Sequence, residues 1–150
     1  MSGAPSDGEP GGARRGRIVA VDYGARRVGL AMADPLELFA QPVGTVSPGE
    51  ALVRLAALDA EHGIATLVVG WPLDDAGDDA RAVARVGPFI GRARRAVPGA
   101  EIVRVDETES SRRAMRELVA SGVRKKARGR KGALDAAAAC VILEDYLRER

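Results

Sequence analysis

The 150-residue chain has few aromatic side chains, 3% in all, with one tryptophan. Its core must be assembled from Val, Leu, Ile and Ala, and platforms that stack nucleobases on aromatic rings are not expected. There is one cysteine, Cys140, and one histidine, His62, which excludes a disulfide framework and leaves no His/Cys cluster for zinc. Cys140 falls inside the apolar run Ala136 to Leu143, where a small buried hydrophobe is the expected role. No apolar run reaches the length of a membrane-spanning helix, and the N-terminal region carries no apolar segment of the signal-peptide kind. The expectation is a cytoplasmic protein with no membrane partner, which the sparse cysteine fits. Net charge is also small, +2, so the placement of the cations carries more information than their sum.

What is present suits one domain with a real core: the length is that of a single domain and the apolar fraction is 46%. Residues 1–16 are dominated by Gly, Pro, Ala and Ser without apolar periodicity, and a disordered tail is expected there, with the domain over 17–150. Ile18 to Val21 and Val28 to Met32 are β-branched-rich runs, and Val43 to Val46 ends a third. Their connectors are too short for a parallel crossover, so they form an antiparallel meander. Two αβ units follow. Glu50 to His62 is a helix before a strand at Leu67 to Gly70, and Asp79 to Ala96 is a helix, broken near Gly87-Pro88, before a strand at Ile102 to Val105. Helices over Ser110 to Ser121 and Leu134 to Arg148 close the chain around a basic segment, Gly122 to Gly132. The order βββαβαβαα implies an α/β architecture, a mixed sheet flanked by helices.

Three strand or helix ends carry acids. Asp22 ends the first strand in Ala20-Val-Asp-Tyr-Gly24, where Gly24 permits a tight turn. Such an aspartate either accepts hydrogen bonds in a hairpin or serves a metal or phosphate. Asp106 and Glu107 end another strand. Strand alternation lets only one of them face Asp22, and Glu107, with its longer side chain at the very end, is the expected ligand, leaving Asp106 to support the turn or cap the next helix. Asp135 opens the last helix, where capping is its local explanation. Three carboxylates at the ends of three elements repel unless a cation lies among them, and oxygen-only ligation suits Mg²⁺ or Mn²⁺.

The cations gather late. Arg112, Arg113 and Arg116 precede the acid-free run Arg124, Lys125, Lys126, Arg128, Arg130 and Lys131. A run of this kind is either a solvated face or a contact to a phosphate backbone, and its position between candidate metal ligands favours the latter. Val68-Val-Gly-Trp-Pro-Leu73 reads as a strand running into a tight turn, with Trp71 packed at the strand end and Gly70 and Pro72 shaping a rim.

Together these residues resemble the YqgF/RuvX family of ribonuclease H-like proteins, described as pre-16S rRNA nucleases and Holliday junction resolvase-like enzymes. The resemblance spans Arg17 to Leu147. It is carried by Ala20-Val-Asp-Tyr-Gly24 with Arg27-Val-Gly-Leu-Ala31 and Asp34-Pro35, Val69-Gly-Trp-Pro-Leu73 with Gly77, Val105-Asp-Glu107, and Asp135 with Ala137-Ala138 and Ile142-Leu143. It implies a ribonuclease H-like, five-stranded mixed sheet, one or two Mg²⁺ (or Mn²⁺) ions at Asp22, Glu107 or Asp106, and Asp135, and hydrolysis of a phosphodiester by water. Thr108 and Asp74 depart from the family's usual Arg and Asn, at positions that bear on substrate contacts more than on metal. A resolvase proper would place its second acid at the end of the strand that here finishes in Gly70.

The leading expectation is a metal-dependent nuclease acting on structured RNA, with 16S ribosomal RNA precursor implied by the resemblance. A junction resolvase on branched DNA is the alternative and would need a homodimer to cut symmetrically. A non-catalytic nucleic-acid binding factor in transcription or ribosome assembly would use the same basic segment. An actin-like ATPase fragment ranks last, because 150 residues cannot supply two lobes.

Overall fold

The β-branched runs near the start of the chain pair with one another before any helix intervenes, and the remainder is added around them. The computed structural model describes residues 16–108, 114, 117, 121 and 133–150. Strands β1 (Arg17–Tyr23), β2 (Val28–Ala33) and β3 (Ala40–Val46) form the antiparallel meander. Strands β4 (Ile64–Leu73) and β5 (Glu101–Thr108) join parallel to β1, giving a five-stranded sheet in the order β3-β2-β1-β4-β5. Helix α1 (Pro48–His62) leads into β4, and α2 (Ala80–Arg85) and α3 (Gly87–Ala96) lead into β5. Helix α4 (Ala133–Glu149) ends the chain.

Local chemistry sets several of these boundaries. Ser47 and Glu50 form a reciprocal capping box at the start of α1, with Pro48 in the first turn. The helix expected over 79–96 is two helices, and the turn between them falls at Val86, just before Pro88 takes an early position in α3 where its missing N–H costs nothing. Strand β4 is longer than its sequence suggests. Trp71 and Pro72 lie inside it, and the turn comes later, at Asp74 to Gly77, where Asp74 Oδ1 accepts from the amides of Ala76 (2.9 Å) and Asp78 (2.7 Å). The pairing of β1 with β4 ends at Val21–Val69, so Pro72 interrupts no ladder toward β1, while on its other side it pairs with Glu107.

The expected helix at Ser110 to Ser121 is described only at Ala114, Glu117 and Ser121, all helical, and the basic segment Gly122 to Gly132 lies outside the described residues. So do residues 1–15 of the expected tail. No helix of the described residues is long and apolar enough to cross a membrane.

Two apolar layers cover the sheet. Val19, Val21, Leu30, Leu67, Val69 and Trp71 pack on one face with Leu55 of α1 and Phe89 of α3. Ile18, Ala20, Ala31 and Val68 pack on the other with Ala139, Ile142 and Leu143 of α4. Alternation along β1 therefore sends Asp22, in step with Ile18 and Ala20, to the α4 face.

Candidate active site

Asp22 sits at the end of β1, a central strand, paired with Gly29 across the hairpin and only 1% exposed. On β5, Ile102 packs with the α1–α3 layer and Val105 with the α4 layer. By the same alternation Glu107 shares the α4 face with Asp22, and Asp106 turns to the opposite one. Burial follows: Glu107 is 9% exposed with its Oε2 sealed from solvent, whereas Asp106 is exposed. Asp22 and Glu107 are the buried charged side chains among the described residues, and each also takes part in a polar or electrostatic contact within the fold.

Asp135 lies in the first turn of α4. The direction of that helix is fixed at its far end, where Arg150 donates to Glu37 Oε1 at 2.6 Å in the β2–β3 turn. That turn lies beside the start of β1, since Arg17 donates to Ala33 O at 3.2 Å. The first turn of α4 is accordingly at the other end of the sheet, where β1 finishes just after Asp22. The side chain of Asp135 is outside the described set, and among the described residues no three His, Cys, Asp or Glu cluster as a metal site. Arg112, Arg124, Lys125, Lys126, Arg128, Arg130 and Lys131 also lie outside the described residues.

Small residues let these elements meet. Gly70 on β4 faces α4, and a Cβ there would stand 2.8 Å from Ile142 Cδ1, so its role is helix packing under the site rather than shaping a rim. With Gly70 and Pro72 on this face, β4 presents no acid beside Asp22. Gly24 closes the β1–β2 hairpin: a Cβ there would lie 2.6 Å from Arg27 O, so the turn itself demands glycine. Trp71 is packed, as expected, at 4% exposure, and its Nε1 donates to Asp79 Oδ2 at 3.2 Å. Cys140 is half-buried, and burial, with Glu144 beside it, pushes its thiol up to about 11, so it is protonated and unreactive at neutral pH. Sequence reasoning missed a second basic stretch: residues 80–96 carry Arg81, Arg85, Arg92, Arg94 and Arg95 and no acid. The same acid-free criterion that singled out Arg124 to Lys131 would have found it.

A profile of the RuvX family, described as "RuvX: Holliday junction resolvase", matches residues 16–149. A relative from Chlorobium luteolum named "Putative pre-16S rRNA nuclease" is 47% identical over 135 residues, covering 90% of this chain and 96% of its own. Another of that name from Salinibacter ruber is 47% identical over 131 residues, covering 87% and 92%. Among solved structures, "T. thermophilus RuvC in complex with Holliday junction substrate" superposes with a TM-score of 0.56 at 17% identity, over 89% of this chain and 94% of that one, a likeness of fold alone. The matched profile, the two relatives and the shared sheet agree: the chain belongs to the RuvX family and has a ribonuclease H-like fold.

Proposed function

We propose that the chain is a divalent-metal-dependent nuclease that hydrolyses phosphodiester bonds in structured RNA, with precursor 16S ribosomal RNA, the substrate its relatives are named for, as the target. The observation that carries this reading is the burial of Asp22 and Glu107 on one face of the sheet, at the end toward which the first turn of α4 brings Asp135. Taking two carboxylates out of water costs several kcal/mol each in effective terms, and their like charges raise that cost; a bound cation offsets both.

The donor set fits Mg²⁺ or Mn²⁺, as one or two ions: it is all oxygen, and Asp22, Glu107 and Asp135 would hold them. Such an ion, when bound, supplies positive charge against the phosphate and eases deprotonation of the attacking water. The protein's own part is positioning. Asp22 is fixed by the central strand β1, Glu107 by the parallel edge strand β5, with β4 between them, and the apolar α4 layer keeps bulk water from both. Arg112 and the run Arg124, Lys125, Lys126, Arg128, Arg130 and Lys131 hold the substrate backbone, which salt and charge rather than base identity govern.

A second reading, cleavage of a four-way DNA junction by a homodimer, draws on the family's description. One experiment separates them. Purified protein is incubated with precursor 16S RNA, duplex DNA or a four-way junction, in Mg²⁺ or EDTA, beside Asp22→Asn. Cleavage of the precursor RNA in Mg²⁺, lost in EDTA and in the variant, is expected; cutting of the junction alone would favour the second reading, and cleavage insensitive to EDTA would overturn the metal site.

A further inference from the structure

On the sheet face opposite Asp22 and Glu107, a cavity of about 420 Å³ opens between α3 and strands β4 and β5. Trp71 lies in its wall with the Arg104 guanidinium stacked over the indole, 4.4 Å from the ring centroid. Arg94 of α3 lines the same space, so two permanent cations face it, and no acid is among its described lining residues. The indole N–H is already committed to Asp79, which fixes the ring as a platform for Arg104.

Gly87 and Gly91, one helical turn apart, complete the α3 wall. A Cβ on either would meet nothing within 4 Å. Packing therefore does not call for glycine at these positions, in contrast to Gly70, and Gly91 stands inside a helix where alanine is the more stable choice. The two missing side chains keep the cavity open. An open space floored by an aromatic platform and faced by two guanidinium groups suits a phosphate, which arginine binds with paired N–H donors. Arg92 and Arg95, also on α3, and Arg81 and Arg85 on the preceding helix α2 add to the positive charge of the helices on this face of the sheet.

We propose that this cavity is a phosphate-binding subsite for a nucleic-acid strand that continues from the active site around the edge of the sheet. The proposal rests on the nuclease reading for the nature of the polymer. Strand β5 is an edge strand, and Arg104 and Glu107, three residues apart on it, face opposite sides, so a chain crossing that edge meets both within roughly 10 Å. Asp106, on the Arg104 side, does not line the cavity.

Trp71 is the protein's one tryptophan, so its emission reports on this cavity. The full chain is titrated in EDTA with a short labelled single-stranded RNA, with AMP, and with inorganic phosphate, reading RNA anisotropy and tryptophan emission together. RNA is expected to change the emission saturably and to bind more tightly than AMP or phosphate. Arg94→Gln should weaken RNA binding about tenfold, the scale of one charge-assisted hydrogen bond. Gly91→Ala should weaken it too while raising the Tm, a pairing that misfolding cannot produce. Unchanged RNA affinity in both variants, emission that ignores saturating RNA, or AMP binding as tightly as RNA would each overturn the proposal. Because metal and cleavage are absent from the assay, its outcome is independent of whether the chain proves to be a nuclease.

Discussion

Gly70 on β4 and Ile142 on α4 fit so closely that a Cβ on the glycine would lie 2.8 Å from Ile142 Cδ1. The contact lies on the face that holds Asp22 and sets how near α4, with Asp135 in its first turn, comes to the sheet. Ile142 is 1% exposed and has little room to yield. Gly70→Ala should therefore destabilise the fold by ~1–3 kcal/mol, the usual cost of overpacking, and reduce cleavage. Ile142→Val, which removes Cδ1, should cost ~0.5–1.5 kcal/mol alone, yet in the Gly70→Ala background it should restore stability. Denaturant melts of the four proteins check this, and additive effects would show that the contact does not set the helix position.

At the far end of the sheet, Asp34 holds the β2–β3 turn. Its Oδ1 accepts from the amides of Phe39 (2.6 Å) and Leu38 (2.8 Å), and its Oδ2 from Leu36 (3.1 Å). These bonds, Phe39's foremost, hold the carboxyl below its ordinary value of 3.8. A depressed carboxyl contributes stability that is present above its unfolded value and is lost as the pH falls through the folded one. The wild type should accordingly lose Tm more steeply than Asp34→Asn as pH drops below 3.8. Parallel acid melts of the two proteins would show that the turn does not draw on the ionised carboxylate.

Neutralising Arg124, Lys125, Lys126, Arg128, Arg130 and Lys131 together should weaken substrate binding and flatten its salt dependence. Every cation removed from a phosphate lowers the slope of log K against log salt by about 0.9 on duplex DNA and about 0.7 on a single strand. A slope that stays at the wild-type value would make the run a solvated loop.

The meander was legible because its connectors are too short for anything else, and the two αβ units because helical and strand periods alternate after Pro48. The end of β4 was not. Pro72 reads as a strand breaker, and only the pairing shows that its missing N–H interrupts nothing toward β1. The acids Asp22, Asp106, Glu107 and Asp135 stood out in the sequence, but the face each one occupies depends on the register that carries Ala20 and Val105 onto the α4 layer. The cavity at Trp71, Arg94 and Arg104 was illegible for the same reason: its residues come from three elements that only the β4–β5 pairing and α3 docking bring together.

Asp106 and Glu107 are adjacent on β5, so the extended chain sends their side chains to opposite faces, Glu107 with Asp22 under α4 and Asp106 with Arg104. If Glu107 is the metal ligand, Glu107→Gln keeps the shape and removes the charge, and Mg²⁺-dependent cleavage should disappear. Asp106 is exposed, so Asp106→Asn should keep its cleavage and stay within ~0.5 kcal/mol of wild-type stability. Thermal melts add a readout that needs no substrate. A ligand that binds only the folded state raises the Tm, so Mg²⁺ should stabilise the wild type and Asp106→Asn alike and Glu107→Gln much less. The opposite pattern, with the Mg²⁺ shift kept in Glu107→Gln and absent in Asp106→Asn, would move the metal to the Trp71 face of the sheet, away from Asp22, and three acids could no longer share it.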